Sequence, residues 1–70
     1  MHVYKVHVTR DGKWWMIAIP ELDGYVTPDG AINVGGITQA RSRGEVETMA
    51  RDYISLVVGG DQFDLDVRFR

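Results

Sequence analysis

One amphipathic helix, standing alone among alternating segments, sets the strongest limit on what this chain can fold into. Val46, Met49, Ala50, Tyr53, Ile54 and Val57 recur at steps of three and four and form a single apolar stripe. Glu45, Glu47, Arg51, Asp52 and Ser55 fall outside the stripe, and Glu47 precedes Arg51 by four residues, the favourable order for a helical ion pair. Ser42 and Glu45 have the Ser-x-x-Glu spacing of a capping box, in which the hydroxyl accepts a free backbone N–H and the carboxylate reaches back. Gly44 in the first turn costs about 1 kcal/mol relative to alanine. Gly59-Gly60 supplies a left-handed stop. A lone helix must bury its stripe on one face of a sheet, which predicts a two-layer α+β fold.

The rest of the chain reads as strands and turns. From Val3 to Thr9, Tyr4, Val6 and Val8 alternate with Val3, Lys5, His7 and Thr9, the period of a half-buried strand. Asp11-Gly12 predicts a hairpin with a type I′ turn. Strand two, Trp14 to Ile19, puts Trp15, Ile17 and Ile19 on one face and Trp14, Met16 and Ala18 on the other. Both faces are apolar, so one meets the helix and the second needs another cover. Pro20 ends the strand. Thr27-Pro28-Asp29-Gly30 is a turn between Tyr25-Val26 and Ala31 to Val34, which predicts a small second hairpin. Ile37 to Ala40 follows as strand three. In the last segment, Phe63, Leu65, Val67 and Phe69 point in, while Asp64, Asp66, Arg68 and Arg70 point out. The order is β-β-β-α-β, with a three- to four-stranded, mainly antiparallel sheet and one helix on one face.

Seventy residues make one domain, covering 1–70, with a thin core worth only about 3–5 kcal/mol. There is no cysteine, so neither disulfides nor a thiolate metal site can add stability. Self-association is the remaining source, and a dimer or larger is expected. The net charge of −2 argues against a general DNA or RNA binder. The N-terminus, alternating and charged, is not a signal peptide, and the run from Trp14 to Pro20 is too short to cross a bilayer. Cytoplasmic location without membrane contact is the expectation.

Little in the chain points to catalysis. Asp64 and Asp66 share a strand face, but Arg68 and Arg70 continue it, the pattern of a solvated exterior and not of a magnesium site. His2 and His7 are too few and face opposite sides of a strand, so no metal and no cofactor is expected. No nucleophile elbow and no phosphate-binding glycine loop is present. Binding residues are easier to nominate. Trp14 and Met16 belong to residue types favoured in interface cores. Cover by the segment from Tyr25 to Val34 would explain them equally well. Glu21, Asp23 and Tyr25 lie in and after Pro-Glu-Leu-Asp-Gly, where carboxylates ordinarily solvate turns. Arg41 and Arg43 oppose the helix macrodipole, an odd structural choice that suits contact with an anion.

These residues together resemble the HicB-like antitoxin family, specifically its short single-domain actinobacterial type. The resemblance rests on Arg-Asp-Gly-Lys-Trp-Trp at 10–15, Ile-Pro-Glu-Leu-Asp-Gly at 19–24, Thr-Gln-Ala-Arg at 38–41, Met-Ala-Arg-Asp at 49–52 and Phe-Asp-Leu-Asp-Val at 63–67. It is broken between Gly24 and Gly36, where about ten residues are inserted relative to the family's short loop. It implies a partial ribonuclease H-like fold, a non-enzymatic protein-binding role, and neutralisation of a small HicA-type ribonuclease toxin by covering its active surface. It also implies oligomerisation. The seventy residues hold no appended DNA-binding domain, so operator binding is not carried over. The alternative is a self-associating structural or regulatory domain with no toxin partner. Trp14, Met16, Glu21, Asp23, Tyr25, Arg41 and Arg43 are the candidate partner-binding residues.

Overall fold

The computed structural model describes all seventy residues. Strand β1 (His2–Asp11) is followed by β2 (Trp14–Ala18), a short 3-10 turn (Pro20–Leu22), β3 (Ile37–Ala40), a second 3-10 turn (Arg43–Glu45), helix α1 (Val46–Val58) and β4 (Phe63–Phe69). The four strands form one sheet in the order β3-β2-β1-β4. β1 pairs antiparallel with β2, β2 antiparallel with β3, and β1 parallel with β4. The architecture is therefore a two-layer α+β fold with a mixed sheet and one helix. The crossover through α1 carries the chain from one sheet edge to the other.

The alternation read from the sequence sorts the residues as expected. Tyr4, Val6 and Val8 from β1, Ile17 and Ile19 from the second strand segment, and Val46, Ala50, Ile54 and Val57 from α1 are all buried. Leu22, Ala40 and Phe63 complete the core. Met49, Tyr53, Leu65 and Val67 pack around it half-buried. Phe69 lies on the same face but is 39% exposed. It stands on an edge strand, with a neighbour on one side only, and its ring is covered by Trp15 and Arg43 instead of by the helix.

Two local expectations are corrected. Asp11 pairs with Trp14, so the two-residue hairpin loop is Gly12-Lys13 and not Asp11-Gly12. Gly12 alone takes positive φ (60°), the pattern of a type II′ turn, which needs glycine only at its first central position. The capping box does not form either. The Ser42 hydroxyl donates to the Glu45 carboxylate at 3.1 Å, and neither side chain caps a backbone N–H. With Gly44 in this turn the chain winds as a 3-10 turn first, and α1 begins at Val46. The C-terminal stop is as expected, with Gly59 left-handed at φ 78° and its N–H donated to Ser55.

The segment 24–36 folds as a small hairpin closed by a bridge between Val26 and Ile32. It does not cover the second face of β2. Asn33 ties it to the rest of the molecule, donating its side-chain amide to the Leu22 carbonyl (2.7 Å) and to the Tyr53 hydroxyl (3.2 Å). Pro28 sits where a side chain at Gly59 would fall, at the C-terminal end of α1. Asn33→Ala removes the amide, leaving the Leu22 carbonyl only its longer bond from the Tyr25 N–H (3.3 Å) and taking a donor from the Tyr53 hydroxyl. The expected loss is about 1–2 kcal/mol, read as a lower urea midpoint with an unchanged slope. Faster amide exchange at Gly24 and Thr27, whose N–H groups bond within the hairpin, should accompany it. No helix is long and apolar enough to cross a membrane.

Candidate functional site

The helix covers one face of the sheet and leaves the other open. The period of two puts Trp14, Met16 and Ala18 of β2 on that open face, beside Ile37 and Gln39 of β3. His7 and Thr9 of β1 flank them on the other side. Ile37 is 58% exposed and Trp14 37%, while Met16 and Ala18 are half-buried between their neighbours. An apolar stripe thus runs along β2 with Ile37 at its margin. Beyond β1 the face turns polar: Lys5 lies opposite Asp66, and Arg68 pairs with Asp66 at 3.2 Å. Asp64 and Asp66 therefore belong to a solvated strand exterior, with no third ligating group beside them. His7 carries a buried Nδ1 with no hydrogen-bond partner.

The seven sequence-nominated residues fall into two groups at opposite ends of the sheet. Trp14 pairs with the last residue of β1, whereas Glu21 bonds His2, its first, at 2.6 Å. A ten-residue strand separates them, about 30 Å of chain. Asp23 is used locally, accepting the Gly35 N–H at 3.0 Å, and Tyr25 packs half-buried against the core. These three do not share a surface with Trp14 and Met16.

At the hairpin end the cations gather. The Arg41 guanidinium lies 5.5 Å from the Trp14 ring centroid, and Lys13, Trp14 and Arg41 line a cleft of about 310 Å³. Arg43 turns to the helix side, 4.1 Å over Phe69. Arg10, which sequence reasoning did not single out, lies 4.8 Å over Trp15, and Trp15 meets Phe69 edge-on at 5.9 Å. Arg51 stays apart, bonded to Glu47 and to the Phe63 carbonyl. Lys13 and Ile37 were also missed. Lys13 is placed by the shifted turn, and Ile37 by its pairing with Ala18.

Two groups titrate away from their ordinary range, both outside the open face. Burial, reinforced by Tyr25 and Glu21, pushes the Tyr4 phenol up. A hydrogen bond from the Thr27 hydroxyl, with help from the Ala31 N–H, holds the Asp29 carboxylate down. Comparison with family models, curated proteins and solved structures finds no match to the chain.

Proposed function

We propose that this chain is a non-catalytic protein-binding module of the HicB-like antitoxin type, built on a partial ribonuclease H-like fold. Its partner would be a small HicA-type ribonuclease. The observation that carries the reading is the uncovered apolar stripe of Trp14, Met16, Ala18 and Ile37 on a sheet whose other face carries the helix and the core. Burying an exposed tryptophan with a neighbouring methionine is how interface centres gain most of their affinity. Neutralisation would be steric, the sheet face occupying the surface that RNA needs. The β-β-β-α-β order agrees with what the resemblance implies.

The test is titration of a purified HicA-type ribonuclease from the same genome, read by calorimetry and by protection of a labelled RNA from cleavage. Micromolar or tighter binding is expected. Met16→Glu places a charge in the stripe and should weaken binding by about 2 kcal/mol or more, roughly thirtyfold. No binding to any such ribonuclease would overturn the antitoxin reading.

A second reading, self-association through the same face, is favoured by its mixed charge. Lys5 and Arg68 lie beside Asp64 and Asp66, so a two-fold contact can set each sign against the other. Light scattering at tens of micromolar decides it, and a monomer there removes it.

A further inference from the structure

The ten acidic and eight basic side chains are not mixed evenly. Arg10, Lys13, Arg41 and Arg43 all lie at the hairpin end of the sheet, Lys13 and Arg41 beside Trp14 on the open face and Arg10 and Arg43 on the helix side, and none of the four takes part in an ion pair. Of the carboxylates nearby, Asp11 lies opposite Trp14 in the strand register, exposed and in no ion pair, so the open face there carries two cations against one anion, and Glu45 is engaged by the Ser42 hydroxyl. Glu21, Asp23 and Asp29 lie toward the other end, where Glu21 meets the start of β1. The molecule is net acidic yet has one locally cationic end.

Each guanidinium there lies over an aromatic ring: Arg10 over Trp15, Arg41 over Trp14 and Arg43 over Phe69. Trp14 and Phe69 are both more than a third exposed, at 37% and 39%. Clustered like charges without counterions destabilise a compact state, and Arg41 and Arg43 stand before the positive end of a helix.

We propose that this cationic, aromatic end binds single-stranded nucleic acid, with the cleft between Lys13, Trp14 and Arg41 holding one nucleotide. Lys13 and Arg41 pair with phosphate oxygens, and a base stacks on the exposed side of Trp14. Arg43 and Phe69, with Arg10 and Trp15 behind them, offer the next position around the end of the sheet. Single strands suit this surface better than a duplex. Its rings are useful only to bases that can leave a stack, and four cations track a short backbone. An acidic protein segment would use the charges and leave the exposed rings without a role. The inference requires no toxin: it shares Trp14 with the apolar stripe but adds Lys13, Arg10, Arg41 and Arg43 and leaves out Met16 and Ile37, so Met16→Glu should spare oligonucleotide binding while it weakens a toxin contact.

The experiment is fluorescence anisotropy of labelled oligothymidylate and oligouridylate of about twelve nucleotides, with intrinsic tryptophan emission followed in the same titration. Binding in the micromolar range at about 50 mM salt is expected, with tryptophan quenching. The logarithm of the affinity should fall with that of salt at a slope of about −2 to −3, for three to four phosphates neutralised. The double variant Lys13→Gln/Arg41→Gln should weaken binding about tenfold and flatten the slope. Trp14→Ala should lose a similar factor and part of the quenching, and Trp14→Phe should restore most of the affinity. Circular dichroism confirms that each variant is folded, and the glutamine pair lies wholly on exposed positions. No anisotropy change at about 100 µM protein in low salt overturns the proposal. So does binding that a polyglutamate peptide of equal charge matches without quenching, which would mark an acidic protein as the occupant. Salt-sensitive self-association in place of oligonucleotide binding also overturns it.

Discussion

Gly36→Ala is expected to leave most of the chain unfolded at room temperature. Gly36 is buried at φ 73°, in the left-handed region, where a side chain costs roughly 1–2 kcal/mol. A Cβ there would fall 2.6 Å from the Ile19 carbonyl oxygen and 3.1 Å from the Asp23 N–H nitrogen, both backbone atoms that cannot swing away. Relief requires the 2.7 Å bond from the Ile19 N–H to the Gly36 carbonyl to open, and leaving such a group unpaired in the core costs about 1–3 kcal/mol. Together these reach about 2–5 kcal/mol, which is the whole stability that a domain of this size supplies. Urea titration by circular dichroism measures it. Gly12→Ala is the control: it shares the positive φ (60°) but its Cβ would meet nothing within 4 Å, so only the conformational cost of about 1 kcal/mol should be seen. Equal losses at the two positions would show that the close approach of Gly36 to Ile19 relaxes freely.

Why the element order was legible and the local geometry was not follows from the range over which each is decided. Alternation in β1 and β4 and the stripe of α1 are short-range patterns that one face of a core enforces at every residue, so Tyr4, Val6, Val8, Ala50 and Ile54 sort correctly. The Gly12-Lys13 turn depends on where β1 stops pairing, which Asp11↔Trp14 decides. The same holds for Ser42. Its hydroxyl had two acceptable partners, and the Glu45 carboxylate won once the 3-10 turn brought the two side chains together. The placement of β4 beside β1 is a tertiary outcome: the crossover through α1 could have returned to either edge.

For the candidate site, a strand apolar on both sides implied a second face in need of cover, by a partner or by the segment from Tyr25 to Val34, and Trp14 with Met16 lies on that face. Which polar residues accompany them could not be read, because it depends on the strand lengths. Glu21 and Asp23 follow Trp14 by only a few positions, yet β2 runs extended back along β1 and carries the chain to the far end, where His2 and Gly35 take them up. Arg10 and Arg43 are far apart in sequence and close in space only because β1, β2 and β4 align Trp15 with Phe69.

Leu22→Ala should cost about 2–5 kcal/mol, comparable to Gly36→Ala, although Leu22 belongs to no periodic pattern. The side chain is fully buried within a 3-10 turn of three residues, between two residues that are exposed. It fills the core beneath the start of the 24–36 hairpin. Its backbone fixes that hairpin too: the Leu22 carbonyl accepts the Asn33 side-chain amide at 2.7 Å and the Tyr25 N–H at 3.3 Å. Truncation leaves a cavity that β1 and α1 cannot close, since both are held by the sheet and by the helix stripe. The Pro-Glu-Leu motif therefore splits into two roles. Leu22 holds the fold together, and Glu21 faces out and bonds His2. Glu21→Gln should change stability by less than about 1 kcal/mol, because both partners of that exposed pair are solvated. Leu22→Met, which keeps the volume, should cost under about 1.5 kcal/mol. Thermal melts of the three variants separate the roles. If Leu22→Ala melts with the parent, the hairpin settles into the space, and the motif's leucine is free to serve a partner instead of the core.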